Sequence, residues 1–284
     1  MPAAQPPDSE KYSVGVLTLA HALKRLLITG AAGGLGAISR RRLTHLAETL
    51  RLSDIADLGE AGAQEEIMPC ELSDFAAVRE LVEGCDGIIH YGGISVEKPW
   101  EQILPANIVG TYNIYEAARQ AGVPRILYPS SNHATGFYSR ETRIDVNAPV
   151  RPDSLYGVSK CFGEALARYY YDKYGIETVA VRIGSCFPEP KDHRMMVSWL
   201  SEDDLIRLIE RVFLAQRVAY TTLYGVSDNL EKWWDNSHAG FLGWQPQDSS
   251  EQFRDLVDSR HEKPGANDVE SRFQGGFWCG DRLD

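Results

Sequence analysis

Between Lys24 and Ile183, short runs of consecutive apolar residues alternate with longer segments whose apolar positions recur every three or four residues. The runs Arg25–Thr29 (RLLIT), Leu50–Ile55, Gly87–Tyr91 (GIIHY), Arg125–Tyr128 (RILY) and Thr178–Ile183 (TVAVRI) have the length and continuity of strands buried on both faces. The periodic segments predict helices over Leu35–Leu50, Phe75–Glu83 with Asp74 as N-cap, Asn107–Ala121 and Ser154–Tyr174. Strands alternating with helices imply right-handed crossovers and a doubly wound parallel sheet of the α/β class. After about Gly184 the rhythm changes. Trp199, Trp233, Trp234 and Trp244 stand among irregularly spaced Pro and Gly, which predicts a small C-terminal substrate lobe, built mainly from residues 185–276, over the carboxyl ends of the strands. Residues 1–23 are Pro-rich and polar and lack a basic leader, so they predict a poorly ordered extension ahead of a single domain, 24–284.

Composition narrows the function classes. The chain has 284 residues, 43% of them hydrophobic, enough for a substantial core. A formal net charge of -11 argues against a nucleic-acid partner. The longest apolar runs fall short of the roughly 18 residues that would span a membrane. Five cysteines, an odd number with no CxxC spacing, predict reduced thiols in a cytoplasmic protein rather than a disulfide framework or a zinc site.

The chemistry begins at the end of the first predicted strand, in Thr29-Gly30-Ala31-Ala32-Gly33-Gly34-Leu35-Gly36. Gly30 permits a tight turn, Gly33 lets backbone N–H groups approach a pyrophosphate, and Gly36 lets the helix pack closely on the strand. Asp54, at the end of the second strand, is placed to accept hydrogen bonds from an adenosine ribose and to repel a 2′-phosphate, which selects NAD. Arg40, Arg41 and Arg42 are the counter-signal, since arginines near this turn suit NADP; a solvated helix face also accounts for them.

Tyr156-Gly157-Val158-Ser159-Lys160 puts a phenol and an ammonium one helical turn apart. A tyrosine of pKa near ~10 is a poor base at neutral pH, and an adjacent cation favours its phenolate. Ser130 and Ser131 end the RILY strand, where a hydroxyl can polarise the oxygen that the tyrosine deprotonates. A dehydrogenase with Tyr156 and Lys160 as its catalytic pair, and a hydroxyl of Ser130 or Ser131 beside them, is the chemistry this order supports.

TGAAGGLG, Asp54, the strand-end serines, YGVSK and NIVGTYNIYEAA together resemble the extended short-chain dehydrogenases/reductases, of Rossmann-type fold. HYGGISVEKPWEQIL, SSNHATGFY, LYGVSKCFGE, VRIGSCFPEP and WWDNSHAGFLGW are similar to the uronate dehydrogenases within that family. The resemblance implies NAD-dependent oxidation of the anomeric carbon of galacturonate or glucuronate to an aldarolactone, with Tyr156 as base and Ser131 as the catalytic serine. It also implies a hexuronic acid held by Ser95, Ser131, Asn132, His133, Tyr156, Ser185 and Arg194, with Arg194 on the carboxylate. Gly30, Gly33, Gly34, Leu35, Gly36, Asp54, Glu71, Leu72, Tyr91, Gly92, Lys160 and Cys186 would line the NAD, and a homo-oligomer would be the assembly. Glu71, Tyr91 and the GFWCGDRLD tail depart from the pattern. Two rivals exist: a nucleotide-sugar epimerase or dehydratase, disfavoured by the short C-terminal lobe, and a non-catalytic NAD sensor, disfavoured by the intact Tyr156 and Lys160.

Overall fold

The computed structural model describes residues 23–265 and 267–281, so all but the last residue of the predicted extension lies outside it. Seven parallel strands form one sheet in the order β3-β2-β1-β4-β5-β6-β7. They are β1 (Leu23–Thr29), β2 (Ala47–Ser53), β3 (Glu65–Ile67), β4 (Gly87–His90), β5 (Arg125–Ser131), β6 (Glu177–Ile183) and β7 (Tyr220–Gly225). The order reverses between β1 and β4, and at such a switch point the helices diverge to open a crevice beyond the strand ends. In register, Thr29 stands beside Ser53 and His90, and Ser131 beside Ile183, so these strand ends share one edge of the sheet.

Both faces are covered, as the apolar runs demand. Leu26 and Ile28 of β1 pack into one buried cluster and Leu27 into the other. Helices α1 (Gly34–Arg42), α2 (Phe75–Val82), α3 (Gly110–Ala121), α4 (Leu155–Tyr174) and α5 (Glu202–Leu214) supply the cover. Asp74 caps α2 through the Ala76 and Ala77 N–H groups, as its position predicts.

Several elements differ from the sequence pattern. The first helix stops at Arg42, eight residues before the predicted Leu50, and Ala47 already belongs to β2. Leu43, Leu46 and Leu50 have helical spacing, yet Leu50 pairs with Leu26 in the sheet; tertiary pairing overrides the local period. The helix expected from Asn107 starts earlier, as a turn at Trp100–Ile103 and a π-helical turn at Leu104–Val109 that run into α3. Within 185–276, α5 and β7 form another crossover that extends the main sheet. What remains of that stretch packs around Ile144, Val197, Tyr224, Trp233 and Trp234 and carries the irregular segments beside the strand ends.

Candidate active site

The helix α4, which carries Tyr156 and Lys160, is fastened at its N-terminus. Ser154 accepts from the Gly157 N–H (2.9 Å), and the Glu97 carboxylate accepts from the Leu155 and Tyr156 N–H groups (3.0 and 2.9 Å). An anion there satisfies orphan donors and complements the positive end of the helix dipole. Gly157 lets α4 lie against the turn Asn132–Thr135, because a Cβ on it would stand 2.5 Å from the His133 carbonyl oxygen. Tyr156 and Lys160 follow on the buried side, 7% and 8% exposed.

The Ser131 hydroxyl accepts from the His133 N–H (3.1 Å) and is near enough to the Tyr156 phenol to act on its pKa. Ser130 faces the opposite side, as strand alternation requires, and donates to the Glu164 carboxylate (2.5 Å), which is paired with Arg182. Of the two strand-end serines, only Ser131 thus reaches the phenol. The Lys160 ammonium stands 5.5 Å from the Tyr156 ring centroid and 5.3 Å from that of Tyr128. Burial moves the two groups in opposite directions. The Tyr156 phenol is pushed up to about 12, with the Ser131 hydroxyl working against the shift. The Lys160 ammonium is pushed down to about 8.

His133 is oriented by a residue the sequence did not single out. Its Nδ1 lies 2.7 Å from Oδ2 of Asp153, whose side chain is fully buried. A carboxylate only accepts, so Nδ1 carries the proton and Nε2 is left as an acceptor. Burial lowers the His133 pKa despite Asp153, which keeps the ring neutral. Trp278, in the C-terminal turn Gly276–Cys279, stacks on His133 with ring centroids 4.1 Å apart and lies 5.8 Å from the Tyr156 ring.

Arg194 approaches the same cluster of side chains, next to Asn132 and close enough for its charge to act on His133. Its Nε donates to the Gln274 carbonyl (2.7 Å). The Asn132 amide, oriented to satisfy both its neighbours, donates to the Ile183 carbonyl (3.1 Å) and accepts from Arg194 Nη2 (2.5 Å). Among the described residues no carboxylate lies within ion-pair distance of Arg194, and burial lowers its pKa. Ser185 is turned toward Ser198 (Oγ–Oγ 3.0 Å), one turn beyond Arg194. Ser95 stands exposed on the loop between Ile94, which Asn107 holds through both its N–H and its carbonyl, and the capping Glu97.

The glycine turn expected to cradle a dinucleotide lies at the end of β1. A Cβ on Gly36 would stand 2.1 Å from the Gly30 carbonyl oxygen, whereas one on Gly34 would meet nothing within 4 Å. The first requires glycine for packing, and the second keeps space open before α1, whose N-cap, Gly33, offers no side-chain bond. Gly30 adopts φ +67° with Tyr91 and Gly92 directly above it. Asp54 accepts from the Ala32 N–H of the glycine turn (3.0 Å), and next to it the buried Ser53 hydroxyl has no partner. An open helix N-terminus, a strand-end acid and an orphaned hydroxyl fit a dinucleotide. Leu72 packs on Gly92; the Tyr91 hydroxyl bonds Ser39 of α1 (3.0 Å), and Cys186, its thiol raised by burial to about 12, packs in the same cluster as Tyr91. Glu71 is exposed and bonds Ser73.

The three arginines near the turn are engaged elsewhere. Arg40 pairs with Glu65 (2.7 Å) and donates to the Leu58 and Glu60 carbonyls, while Arg41 and Arg42 pair with Glu202 and Asp203 of α5. The counter-signal for NADP therefore loses its basis in geometry.

Glu97, Asp153, Gln274 and Trp278 escaped the sequence analysis. The glycine-flanked aromatic pair in GGFWCG was the one local sign of a built turn.

Residues 26–209 match the NAD-dependent epimerase/dehydratase family. The chain is 55% identical over 256 residues to a uronate dehydrogenase of Pseudomonas putida, covering 90% of this chain and 95% of that one. The glucuronic acid dehydrogenase of Chromohalobacter salexigens superposes with a TM-score of 0.90 at 56% identity, covering 92% and 98% of the two chains. A uronate dehydrogenase of Agrobacterium tumefaciens, solved as a tyrosine-to-alanine variant complexed with NAD, superposes with a TM-score of 0.90 at 54% identity, covering 91% and 98%. A tyrosine–lysine pair at a strand-end serine, a dinucleotide cradle and likeness over nine-tenths of the chain lead to one assignment: this protein belongs to the NAD-dependent epimerase/dehydratase family and, within it, to the uronate dehydrogenases.

Proposed function

We propose that this enzyme oxidises the anomeric carbon of a hexuronic acid, galacturonate or glucuronate, to the aldarolactone with NAD as acceptor. The observation that carries the substrate class is the Arg194 guanidinium, which among the described residues forms no ion pair and lies beside Asn132 and His133. A buried charge without a partner is costly, and a substrate carboxylate would compensate it. The close relatives that are uronate or glucuronic acid dehydrogenases support the same reading.

Gly30, Gly33, Gly34, Leu35, Gly36, Asp54, Glu71, Leu72, Tyr91, Gly92 and Cys186 would hold the cofactor, and Lys160 its nicotinamide ribose. When bound, NAD supplies the acceptor for the C1 hydrogen and its electron pair, together with positive charge that favours the Tyr156 phenolate. The protein's part is proton handling and placement. Tyr156 and Ser131 share the anomeric hydroxyl; Tyr156 takes its proton as the C1–O bond becomes the lactone carbonyl. His133 accepts from a sugar hydroxyl through Nε2, Ser95 and Ser185 bind others, and Asn132 orients Arg194 against the carboxylate. The exposed tyrosines of α3 and α4 support a homo-oligomer, and the free cysteines support a cytoplasmic setting.

NADH absorbance with galacturonate or glucuronate, and none with glucose, is the expected result. Tyr156→Phe should lower turnover by roughly 10²–10⁴-fold with NAD binding retained. Silence with both uronates would sink the substrate assignment, and an active Tyr156→Phe would remove Tyr156 as the base.

A further inference from the structure

Gln274 is the pivot of the C-terminal segment that crosses the site. It is 0% exposed, an unusual place for a glutamine, and its amide is fully engaged. Oε1 accepts from Trp234 Nε1 (2.9 Å), and Nε2 donates to the Thr142 (2.8 Å) and Ser139 (3.2 Å) carbonyls. Its main-chain N–H donates to Tyr138 (2.9 Å), and its carbonyl accepts from Arg194 Nε (2.7 Å). Two residues on, Gly276 has φ +69°, and a Cβ there would stand 2.5 Å from Arg194 Cδ and 3.0 Å from Nε.

The guanidinium is therefore held from two sides, by the Gln274 carbonyl on Nε and by the Asn132 amide oxygen on Nη2. Both partners are neutral. They fix the plane of the group without cancelling its charge, and three of its five N–H donors remain for an anion. A carboxylate in either place would have orientated Arg194 and neutralised it at once.

We propose that the strap Phe273–Gly276 belongs to the substrate site, with Gln274 and Gly276 as positioning residues that set the direction of the Arg194 guanidinium. The proposal rests on the reading that Arg194 takes the substrate carboxylate. It makes the tail a determinant of uronate affinity although neither positioning residue touches the reacting atoms.

The test is a double-mutant cycle on the full-length enzyme with NAD and galacturonate. Arg194→Ala should raise the galacturonate KM at least about 30-fold. Gly276→Ala alone should raise it about tenfold, with kcat within about twofold and the Kd for NAD unchanged. In the Arg194→Ala background, Gly276→Ala should add nothing to KM. Should Gly276→Ala fail to fold, Trp234→Phe serves instead: it deletes the N–H that anchors Gln274 and should raise KM about threefold in the wild-type background alone. Strap variants that leave KM unchanged, or whose effects add to that of Arg194→Ala, would overturn the positioning role. An Arg194→Ala enzyme of normal galacturonate KM would overturn the carboxylate reading first, and the strap proposal with it.

Discussion

Lys160 shows what burying an ammonium beside Tyr156 costs the fold. Its pKa falls from 10.5 to about 8 because burial disfavours the ammonium. The unfolded chain therefore binds this proton more tightly than the native one. Below pH 8 the folded state carries the full penalty, and stability recovers as pH rises from about 8 toward 10.5. Replacing Lys160 by Met removes the penalty, while the lost cation–π contacts with Tyr128 and Tyr156 offset part of the gain. At pH 7 the variant should be more stable by on the order of 1–3 kcal/mol, with Tm up by a few degrees, and almost inactive. The stabilisation should vanish near pH 10. A variant less stable than wild type at pH 7 would show that Lys160 is a net contributor to the fold. The pair itself was legible in the sequence because Tyr156 and Lys160 lie one helical turn apart and Ser131 ends a strand. The partners that orient the site were not: Asp153 lies 20 residues from His133, Glu97 lies 58 and 59 from the N–H groups it caps, and Gln274 lies 80 from Arg194. No local pattern encodes such contacts.

At the scale of elements, the site depends on how α4 is seated. Glu97 reaches from the loop after β4 and accepts from the Leu155 and Tyr156 N–H groups, so the loop that carries Ser95 is tied to the helix that carries Tyr156. Glu97→Ala would leave both donors without their acceptor and remove an anion from the positive end of the helix. It should lower stability by about 1–2 kcal/mol and kcat severalfold, with NAD affinity kept. Glu97→Gln, which retains one acceptor oxygen, should lose less of each. Equal Tm and kcat in wild type and Glu97→Ala would show that the capping contacts are idle. Elements buried on both faces were read correctly from their apolar runs, as at β1, β4 and β5. Those missed had reasons. The three residues of β3 (EEI) carry two acids, and β7 (YTTLYG) mixes hydroxyl and apolar positions because its edge is partly exposed. The helix α5 has a strong apolar face, yet it lies among tryptophans and turns that suggested an irregular lobe.

At the scale of the molecule, helices α3 and α4 pack side by side and leave an aromatic face in water. Tyr112, Tyr169 and Tyr174 are 46–47% exposed, and Tyr169 contacts the rings of both Tyr170 and Tyr174. Trp100 and Leu104, on the turns that lead into α3, are 42% and 37% exposed. Scattered exposed aromatics need no explanation, but large ones gathered on two neighbouring helices mark an interface. Two parallel helix faces suit a two-fold contact best, because the same patch then serves both copies and the assembly closes. We propose a second copy of this chain as the occupant of this face, in a four-helix contact. Light scattering coupled to gel filtration should report at least a dimer of the 31.7 kDa chain. Replacing Tyr112 and Tyr169 by Asp together should shift the particle to a monomer, since two carboxylates facing their symmetry mates would be desolvated without partners. Because Tyr156 and Lys160 face the core from the buried side of α4, the monomer should keep its affinity for NAD. A wild-type chain that runs as a monomer at all concentrations would leave this face without a partner of its own kind.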